Sequence, residues 1–407
     1  MVSELPSNLV LKKMSPKIWL PLLTAVWGCL TMCLGFVRNF KSFVTVRALL
    51  GVAEGGLLPG MVRLLPSTRI SVYTLLTTFK VLYLSHFYRR SELALRIGIF
   101  YTAASLSGAF GGLLARGLNA IGPAGGLEGW RWIFIVEGLL TVFIGVLSAL
   151  ILPNSIETAN FLSAPEKALA RHRLDQNSST HEHFSWSEVK RGIFNLQVWL
   201  SALAYFSILS GLYSFGLFLP TIINSLKFAK DPNQAQLWTV IPYAVAAVCT
   251  VITAFLSDHL ALRGPVMLFT LPIAIIGYAV ISTSTNAHVQ YGMTFLMATG
   301  MYASVPCILS WNSNNSAGHY KRATTSALQL AIANAGGFVA SFVYQKSEGP
   351  QFRKSHSIML GLLCAAWVLV AANVLWVARI NRDKKRGRYD EWRGCGDDRD
   401  PVFRMVL

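Results

Sequence analysis

Charged residues are scarce in this sequence, and acidic residues are the scarcest, with 19 Asp and Glu against 36 Lys and Arg in 407 residues. Only 14% of the residues are charged while 53% are hydrophobic, a composition that predicts an integral membrane protein rather than a soluble domain. The basic residues lie between long apolar runs and not in one patch. This distribution indicates orientation in a lipid bilayer and argues against a nucleic-acid partner.

Cysteine and the motifs of enzyme chemistry are also sparse. Five of the six Cys fall inside apolar runs, and only Cys395 lies outside them, a spacing that indicates no disulfide or metal framework. The sequence has no Gly-rich phosphate loop, no His-Glu metal motif and no nucleophile elbow. All eight His lie outside the predicted spans, where they cannot serve a haem or metal redox site in the membrane. We therefore predict a protein that is not an enzyme and uses neither a cofactor nor a metal.

Long apolar runs are what the chain does have. A helix of about 20 such residues crosses about 30 Å of hydrocarbon. The runs do not alternate as barrel strands do, so we predict an all-α membrane protein built as a two-half helical bundle. The basic residues of the connecting segments place both ends in the cytoplasm. The ten predicted spans are residues 18–37, 43–62, 97–118, 133–152, 198–223, 237–256, 266–282, 289–309, 323–344 and 358–378.

The longest connection leaves four spans before it and six after it. In this connection Ser163 and Glu166 have the spacing of a capping box, which predicts a short surface helix. Transporters built from repeated halves normally have equal halves, so two spans are expected to be missing in front. The predicted regions are an N-terminal half at 1–152, a central cytoplasmic loop at 153–197, a C-terminal half at 198–378 and a cytoplasmic tail at 379–407.

Ionisable residues inside the spans are the first candidates for function, because placing a charged side chain inside a bilayer costs free energy. Arg47 and Glu54 share one helical face but lie about 10 Å apart along the axis, too far for a direct ion pair. Arg47, the only well-buried cation that we expect, would attract an organic anion, and Glu54 would carry a proton. Glu137 is a second candidate for proton coupling. The structural alternative is that Arg47 anchors its helix and both carboxyl groups serve helix packing.

In the C-terminal half, the polarity of the spans comes from neutral groups. Tyr205 and Tyr213 are eight residues apart and share a face. Gln329 and Asn334 follow in "ALQLAIANAGG". These four side chains are candidates to line a midplane cavity and to bind a substrate. The alternative is that each one hydrogen-bonds a neighbouring helix.

Several motifs together carry a resemblance. "RALLGVAEGGLLPG", "YRRSELALRIGIFYTAASLSGAFGGLLA", "GWRWIFIVEGLLTVFIG" and "NNSAGHYKRATTSALQLAIANAGGFVASFVY" resemble the fungal anion:cation symporters, the allantoate permease family of the major facilitator superfamily. "SDHLALRG", with Asp258 and Arg263, resembles the superfamily's loop signature. The resemblance implies gating by Asp258 through pairing across helices.

The same resemblance implies twelve helices in two halves that alternate access to the two membrane faces. It also implies proton-coupled uptake of a small organic anion, such as allantoate, nicotinate or another vitamin-like carboxylate. We expect a monomer in the plasma membrane. The partners that follow are the anion, the proton and the lipid bilayer.

The chain departs from the family pattern at two places. The family's first helix and nearly all of its second are absent, which predicts an N-terminal truncation. Residues 62–80 interrupt a motif that is continuous in the family. We interpret them as a translated intron, because the codon for Val62 begins with GT and one codon for Lys80 ends in AG. A genuine insertion at the lipid headgroups is the alternative. Two other functions stay open, a non-transporting sensor and a mis-predicted or truncated product.

Overall fold

The structure is a computed structural model that confirms the all-α prediction. Within the described residues every regular element is an α-helix or a short 3₁₀ turn. Seven of the described helices are long and apolar enough to cross a bilayer, and Pro21–Gly35 adds a shorter apolar helix. The interruption at 62–80 and most of the predicted span 97–118 lie outside the described part. The described residues are 16–57, 110–111, 113–114, 116–118, 124–151, 162–175, 186–226, 232–317, 319–349, 351–395 and 397–407.

The described helices fall into two compact units, and the division lies inside the segment predicted as the central loop. The first unit contains α1 (Pro16–Gly35), α2 (Phe40–Leu57), α3 (Gly129–Ile151) and α4 (Ala164–Asp175). The second unit contains α5 (Trp186–Ile193), α6 (Leu196–Ser225), α7 (Pro232–Leu260), α8 (Gly264–Thr283), α9 (Ala287–Asn314), α10 (His319–Asn334), α11 (Gly336–Val343) and α12 (Arg353–Lys385).

In the first unit, α1 packs along α3 through small residues. A Cβ atom on Gly138 would lie 2.6 Å from the carbonyl oxygen of Gly28, and one on Gly28 would lie 2.7 Å from the backbone nitrogen of Val142. The two backbones therefore approach as closely as glycine permits, which is how helices associate in a bilayer. At the end of this contact, Arg131 Nη1 donates to the carbonyl oxygen of Gly35 at 3.3 Å.

The start of α4 confirms the predicted capping box. The backbone nitrogen and the hydroxyl of Ser163 both donate to Glu166 Oε2, at 2.8 and 2.7 Å. The backbone hydrogen bond, followed by the side-chain one, lowers the pKa of the Glu166 carboxyl below its ordinary value. The helix therefore begins directly after Ser163, where the sequence places its start.

In the second unit, α6 is the central helix and contacts α7, α9, α10, α11 and α12. Beside it, α8 and α9 pack closely, since a Cβ atom on Gly300 would lie 2.5 Å from the backbone nitrogen of Ala274. A buried hydrogen bond of 2.8 Å between the hydroxyls of Thr270 and Ser304 joins the same two helices. The largest side chains of the core around them are Trp311, Tyr278 and Phe215.

The ninth predicted span, 323–344, is one apolar span, Thr324–Val343, in which a one-residue turn divides α10 from α11. α10 ends at Asn334 and α11 begins at Gly336, and Ala335 between them keeps helical torsion angles, with φ −61° and ψ −20°. The backbone nitrogen of Ala335 bonds to the carbonyl oxygen three residues earlier, at 3.2 Å. A Cβ atom on Gly336 would lie 2.5 Å from the hydroxyl oxygen of Ser210, so α11 packs directly on α6.

Several helices extend beyond the predicted spans, and three of them contain a histidine near one end. α12 begins five residues before the predicted span 358–378, and it contains His356, which is 2% exposed. The imidazole Nδ1 of His356 and the hydroxyl of Tyr344 are 2.9 Å apart and hydrogen-bonded. α7 and α9 extend over His259 and His288. The three histidines therefore lie in helical turns that continue past the predicted apolar spans.

Candidate functional site

A cavity of about 330 Å³ opens in the second unit between α6 and α9. This volume lies at the small end of the range for ligand sites in proteins. Its wall is largely apolar, with three tyrosines that supply aromatic faces and hydroxyls. The lining residues are Tyr205, Leu209, Leu212, Tyr213, Gly216, Leu217, Tyr302 and Val305.

Two of the predicted site residues line this cavity together. Tyr205 is 3% exposed and Tyr213 is 40% exposed, two turns further along the same face of α6. The hydroxyl of Tyr213 donates to Oδ1 of Asn334 at 3.1 Å. Gly337 of α11 also lies against the Tyr213 ring. Three of the four neutral residues predicted in this half are therefore brought to one place.

Gln329 is the fourth predicted residue of this half, and it lies elsewhere. It is 1% exposed, and its Nε2 donates to the carbonyl oxygen of Ile308 at 3.3 Å. This hydrogen bond joins α10 to α9 in the interior. The contact is the interhelical role that the structural alternative describes, and Gln329 is not among the residues that line the cavity.

The charged candidates lie in the first unit. Arg47 is exposed, and its guanidinium carbon lies 5.3 Å from the centre of the Phe43 ring, one turn earlier on α2. The expectation of a well-buried cation at this position is therefore wrong, because the long side chain lies along its own helix against an aromatic face. Glu54 is in α2, but its side chain lies outside the described residues. Glu137 is half-buried on α3.

Among the described residues, the buried cations are in the second unit. Arg263, Lys321 and Lys384 are 7%, 5% and 6% exposed. All three lie at the end of this unit where α7, α9 and α12 finish and α8 and α10 begin. The sequence analysis named Arg263 for gating but missed Lys321 and Lys384, because they fall just beyond the apolar runs. For Lys384 the available signal was the basic "RDKK" at the end of α12, where cations complement the helix dipole.

Asp258 and Arg263, the two charged residues of the loop signature, form an ion pair with each other. Asp258 lies in the last turn of α7 and Arg263 directly before α8, and Ala261 between them has a φ of 52°. Nη1 of Arg263 also donates to the hydroxyl of Ser257 at 2.9 Å. The left-handed residue turns the chain sharply, which brings the two charges together. A gating role for the pair stays a prediction.

The sequence analysis did not identify the wall that α9 contributes to the cavity. Tyr302 and Val305 lie in a helix that is buried on several sides, so no apolar face distinguishes them. The one available signal was a tyrosine in the middle of an apolar segment. Among the residues that the structure describes, no group of three or more His, Cys, Asp or Glu is placed to hold a metal ion.

Comparisons with known proteins agree with this architecture. Residues 75–341 match the family model described as Major Facilitator Superfamily. The chain is 32% identical to an uncharacterized transporter of Schizosaccharomyces pombe, over 99% of this chain and 78% of that protein. It is 29% identical to the high-affinity nicotinic acid transporter of Saccharomyces cerevisiae, over 98% of this chain and 72% of that protein.

The fold has a counterpart among solved structures. It is similar to a bacterial homologue of the human lysosomal transporter Spinster, with a TM-score of 0.61 and 16% sequence identity, over 91% of this chain and 85% of that one. This likeness concerns the fold, which is the helical bundle of a multi-pass membrane transporter. From the family match, the relatives and the bundle together, we conclude that the chain belongs to the Major Facilitator Superfamily.

Proposed function

We propose that this membrane transporter is a secondary active symporter that takes up a small organic anion together with a proton. The observation that carries the proposal is the tyrosine-lined cavity of the second unit, in which the lining residue Tyr213 is hydrogen-bonded to Asn334. An aromatic wall with a few polar groups suits a compact carboxylate that has a flat or partly apolar body. Nicotinate, allantoate and other vitamin-like carboxylates belong to this class.

Hydrogen-bond donors for a carboxylate are available at this place. The Asn334 oxygen accepts from Tyr213, and its Nδ2 carries two N–H donors. The tyrosine hydroxyls at this site would exchange their present partners for the anion, and such neutral groups bind an anion without requiring a permanent charge in the bilayer. In this proposal Arg47 attracts the anion electrostatically from the first unit. Glu54 and Glu137 are the carboxyl groups that carry the proton. The name of the yeast relative, a nicotinic acid transporter, supports a carboxylate as the substrate.

The orientation follows from the basic connecting segments, which place both ends in the cytoplasm. We propose a monomer in the plasma membrane that exposes the cavity alternately to each side. Asp258, in the last turn of α7, and Arg263, before α8, would act as a gate.

The test is uptake of labelled nicotinate and allantoate in yeast cells that lack their own carrier for each compound. We expect accumulation against a gradient, with loss of uptake when a protonophore removes the proton gradient. Arg47→Ala is expected to abolish uptake, while Arg38→Ala, a matched exposed arginine in the connection before α2, is expected to retain it. Normal uptake by Arg47→Ala would refute the anion-attracting role.

The other outcomes identify the alternative functions. Saturable binding of one of these carboxylates without accumulation would indicate a sensor. Aggregated protein would indicate a truncated or mis-predicted product. Sequencing the transcript across the codons for residues 60–90 tests the intron interpretation, because a mature message without codons 62–80 is expected. A message that retains those codons would favour a genuine insertion.

A further inference from the structure

The end of the described chain folds back onto the second unit. After α12 ends at Lys385, a 3₁₀ turn at Asp390–Trp392 leads into residues 397–407, which we call the tail segment. The tail segment lies over the end of the unit that contains the three buried cations. The sequence "DDRDPVFRMVL" is acidic first and apolar last, and both parts find partners there.

Lys384 is the centre of the contact. Its ammonium group donates to three carbonyl oxygens of the tail segment, those of Asp398, Asp400 and Phe403, the last two at 3.1 and 2.7 Å. An ammonium group has three N–H donors, so the tail segment uses all of them. The Phe403 ring lies 5.4 Å from the same nitrogen and covers it. A lysine that is 6% exposed is thus satisfied by this one stretch of backbone.

Ion pairs hold the acidic part of the tail segment. Lys321 of α10 pairs with Asp398 at 2.6 Å, and both side chains are nearly buried. Arg191 of α5 pairs with Asp397. Arg399 pairs with the same carboxylate at 2.6 Å. Arg191 and Lys321 lie on two different helices, so the acidic residues of the tail segment connect elements that are far apart in the sequence.

Two asparagines bind the backbone of the apolar part. Asn315 donates to the carbonyl oxygen of Val406 at 2.8 Å and accepts from its backbone nitrogen at 2.7 Å. Asn381 makes the same pair of hydrogen bonds with Met405, at 2.8 and 3.1 Å. Trp311 Nε1 adds a hydrogen bond of 2.8 Å to the carbonyl oxygen of Val406. Met405 itself is 5% exposed and packs in the core.

We propose that the tail segment is an intramolecular peptide ligand, held in a binding site of Lys384, Lys321, Asn315 and Asn381, and that it clamps this end of the second unit. Through the site, the segment is bonded to α5, α10 and α12 and to the end of α9, and Arg263 before α8 donates its backbone N–H to Leu407. Helices joined in this way cannot separate at this end while the peptide is bound. The inference does not depend on the identity of the transported substrate.

The experiment measures docking with a single reporter thiol in the detergent-solubilised full chain. Met405→Cys places a thiol where the docked segment excludes solvent, and Val402→Cys places one where the side chain is 80% exposed. We expect a maleimide reagent to label the second thiol at least about 10-fold faster than the first, because burial limits access to a thiol. The background replaces all six native cysteines by Ser or Ala, so that the introduced thiol alone reacts; they are Cys29, Cys33, Cys249, Cys307, Cys364 and Cys395.

Variants of the site give the decisive comparison. With Lys384→Met, we expect labelling of the Met405→Cys thiol to rise several-fold, because three carbonyl groups lose their donor. Lys385→Met, a matched change at the exposed neighbouring lysine, is expected to leave the rate unchanged. Equal rates in the two variants would overturn the proposal.

Exchanging the two charges of an ion pair tests whether faster labelling in the variants comes from general unfolding of the protein. Lys321→Glu and Asp398→Lys are each expected to raise labelling of the Met405→Cys thiol, and the double variant is expected to return at least half of the lost protection. The exchanged pair restores the attraction with reversed polarity. If the double variant labels as fast as the faster single variant, the segment is not held by this ion pair and the proposed site is wrong.

Discussion

The hydroxyl of Tyr213 on α6 donates a 3.1 Å hydrogen bond to the side-chain oxygen of Asn334, 121 residues later, at the last residue of α10. The Tyr213 ring lines the cavity, so the bond places a polar group of α10 beside a wall that is mostly apolar and aromatic. Asn334 lies in the register of α10, and this register brings its side chain to α6. The relationship joins α10 to the candidate binding site.

Tyr213→Phe is expected to raise the KM for uptake about 3- to 10-fold, since it removes one neutral hydrogen bond at the proposed site. Asn334→Ala is expected to have a similar effect, and the double variant to be no worse than either alone. The measurement is initial uptake rate against substrate concentration, corrected for the amount of protein in the membrane. Tyr291→Phe is the control, because it removes a comparable 3.0 Å bond, to the Trp238 carbonyl, at a tyrosine that does not line the cavity.

Gly300→Ala is expected to destabilise the protein by about 1–3 kcal/mol, because the added methyl group would enter the backbone of α8 beside Ala274. Gly292→Ala in the same helix meets open space. It is expected to be neutral or to stabilise by about 0.5–1 kcal/mol through helix propensity. The melting temperatures of the purified variants give the comparison. Equal melting temperatures would show that α8 and α9 are not in this close contact.

The buried pair of His356 and Tyr344 is expected to behave as one unit in unfolding. His356→Ala removes a buried ring and the partner of a hydroxyl, which costs about 2–4 kcal/mol. Tyr344→Phe costs about 1 kcal/mol by loss of the same hydrogen bond. The double variant is expected to lose less than the sum, because the two changes share one interaction. Combining His356→Ala with Tyr291→Phe is the control, and these effects are expected to add.

The docking of the tail segment is expected to resist acid. Burial acts to raise the pKa of Asp397, but hydrogen bonds from Arg399, Cys395 and Arg191 outweigh it and lower the pKa well below the ordinary value. A carboxyl group with a depressed pKa stabilises the docked state above its undocked pKa of about 4, and this contribution is lost only as the pH falls further. The ratio of labelling at the Met405→Cys and Val402→Cys thiols is therefore expected to stay constant from pH 8 to pH 5. A loss of protection near pH 6 would contradict this assignment.

The sequence by itself determined the class of protein and most of its helices. Long apolar runs become helices because a bilayer supplies no partner for backbone N–H and C=O groups. Ser163 and Glu166 fixed the start of α4 because a capping box is complete within four residues. The shared face of Tyr205 and Tyr213 follows from helical periodicity, and both residues line the cavity. Each of these features depends on neighbours close in the chain.

The tertiary structure alone decided the features that join distant residues. His356 is buried in α12 because Tyr344 satisfies it. The tail segment docks because Lys321 and Asp398, 77 residues apart, meet at one end of the second unit. No local pattern encodes such contacts, since a polar group beyond an apolar run has the same sequence signature whether solvent or another segment of the chain satisfies it.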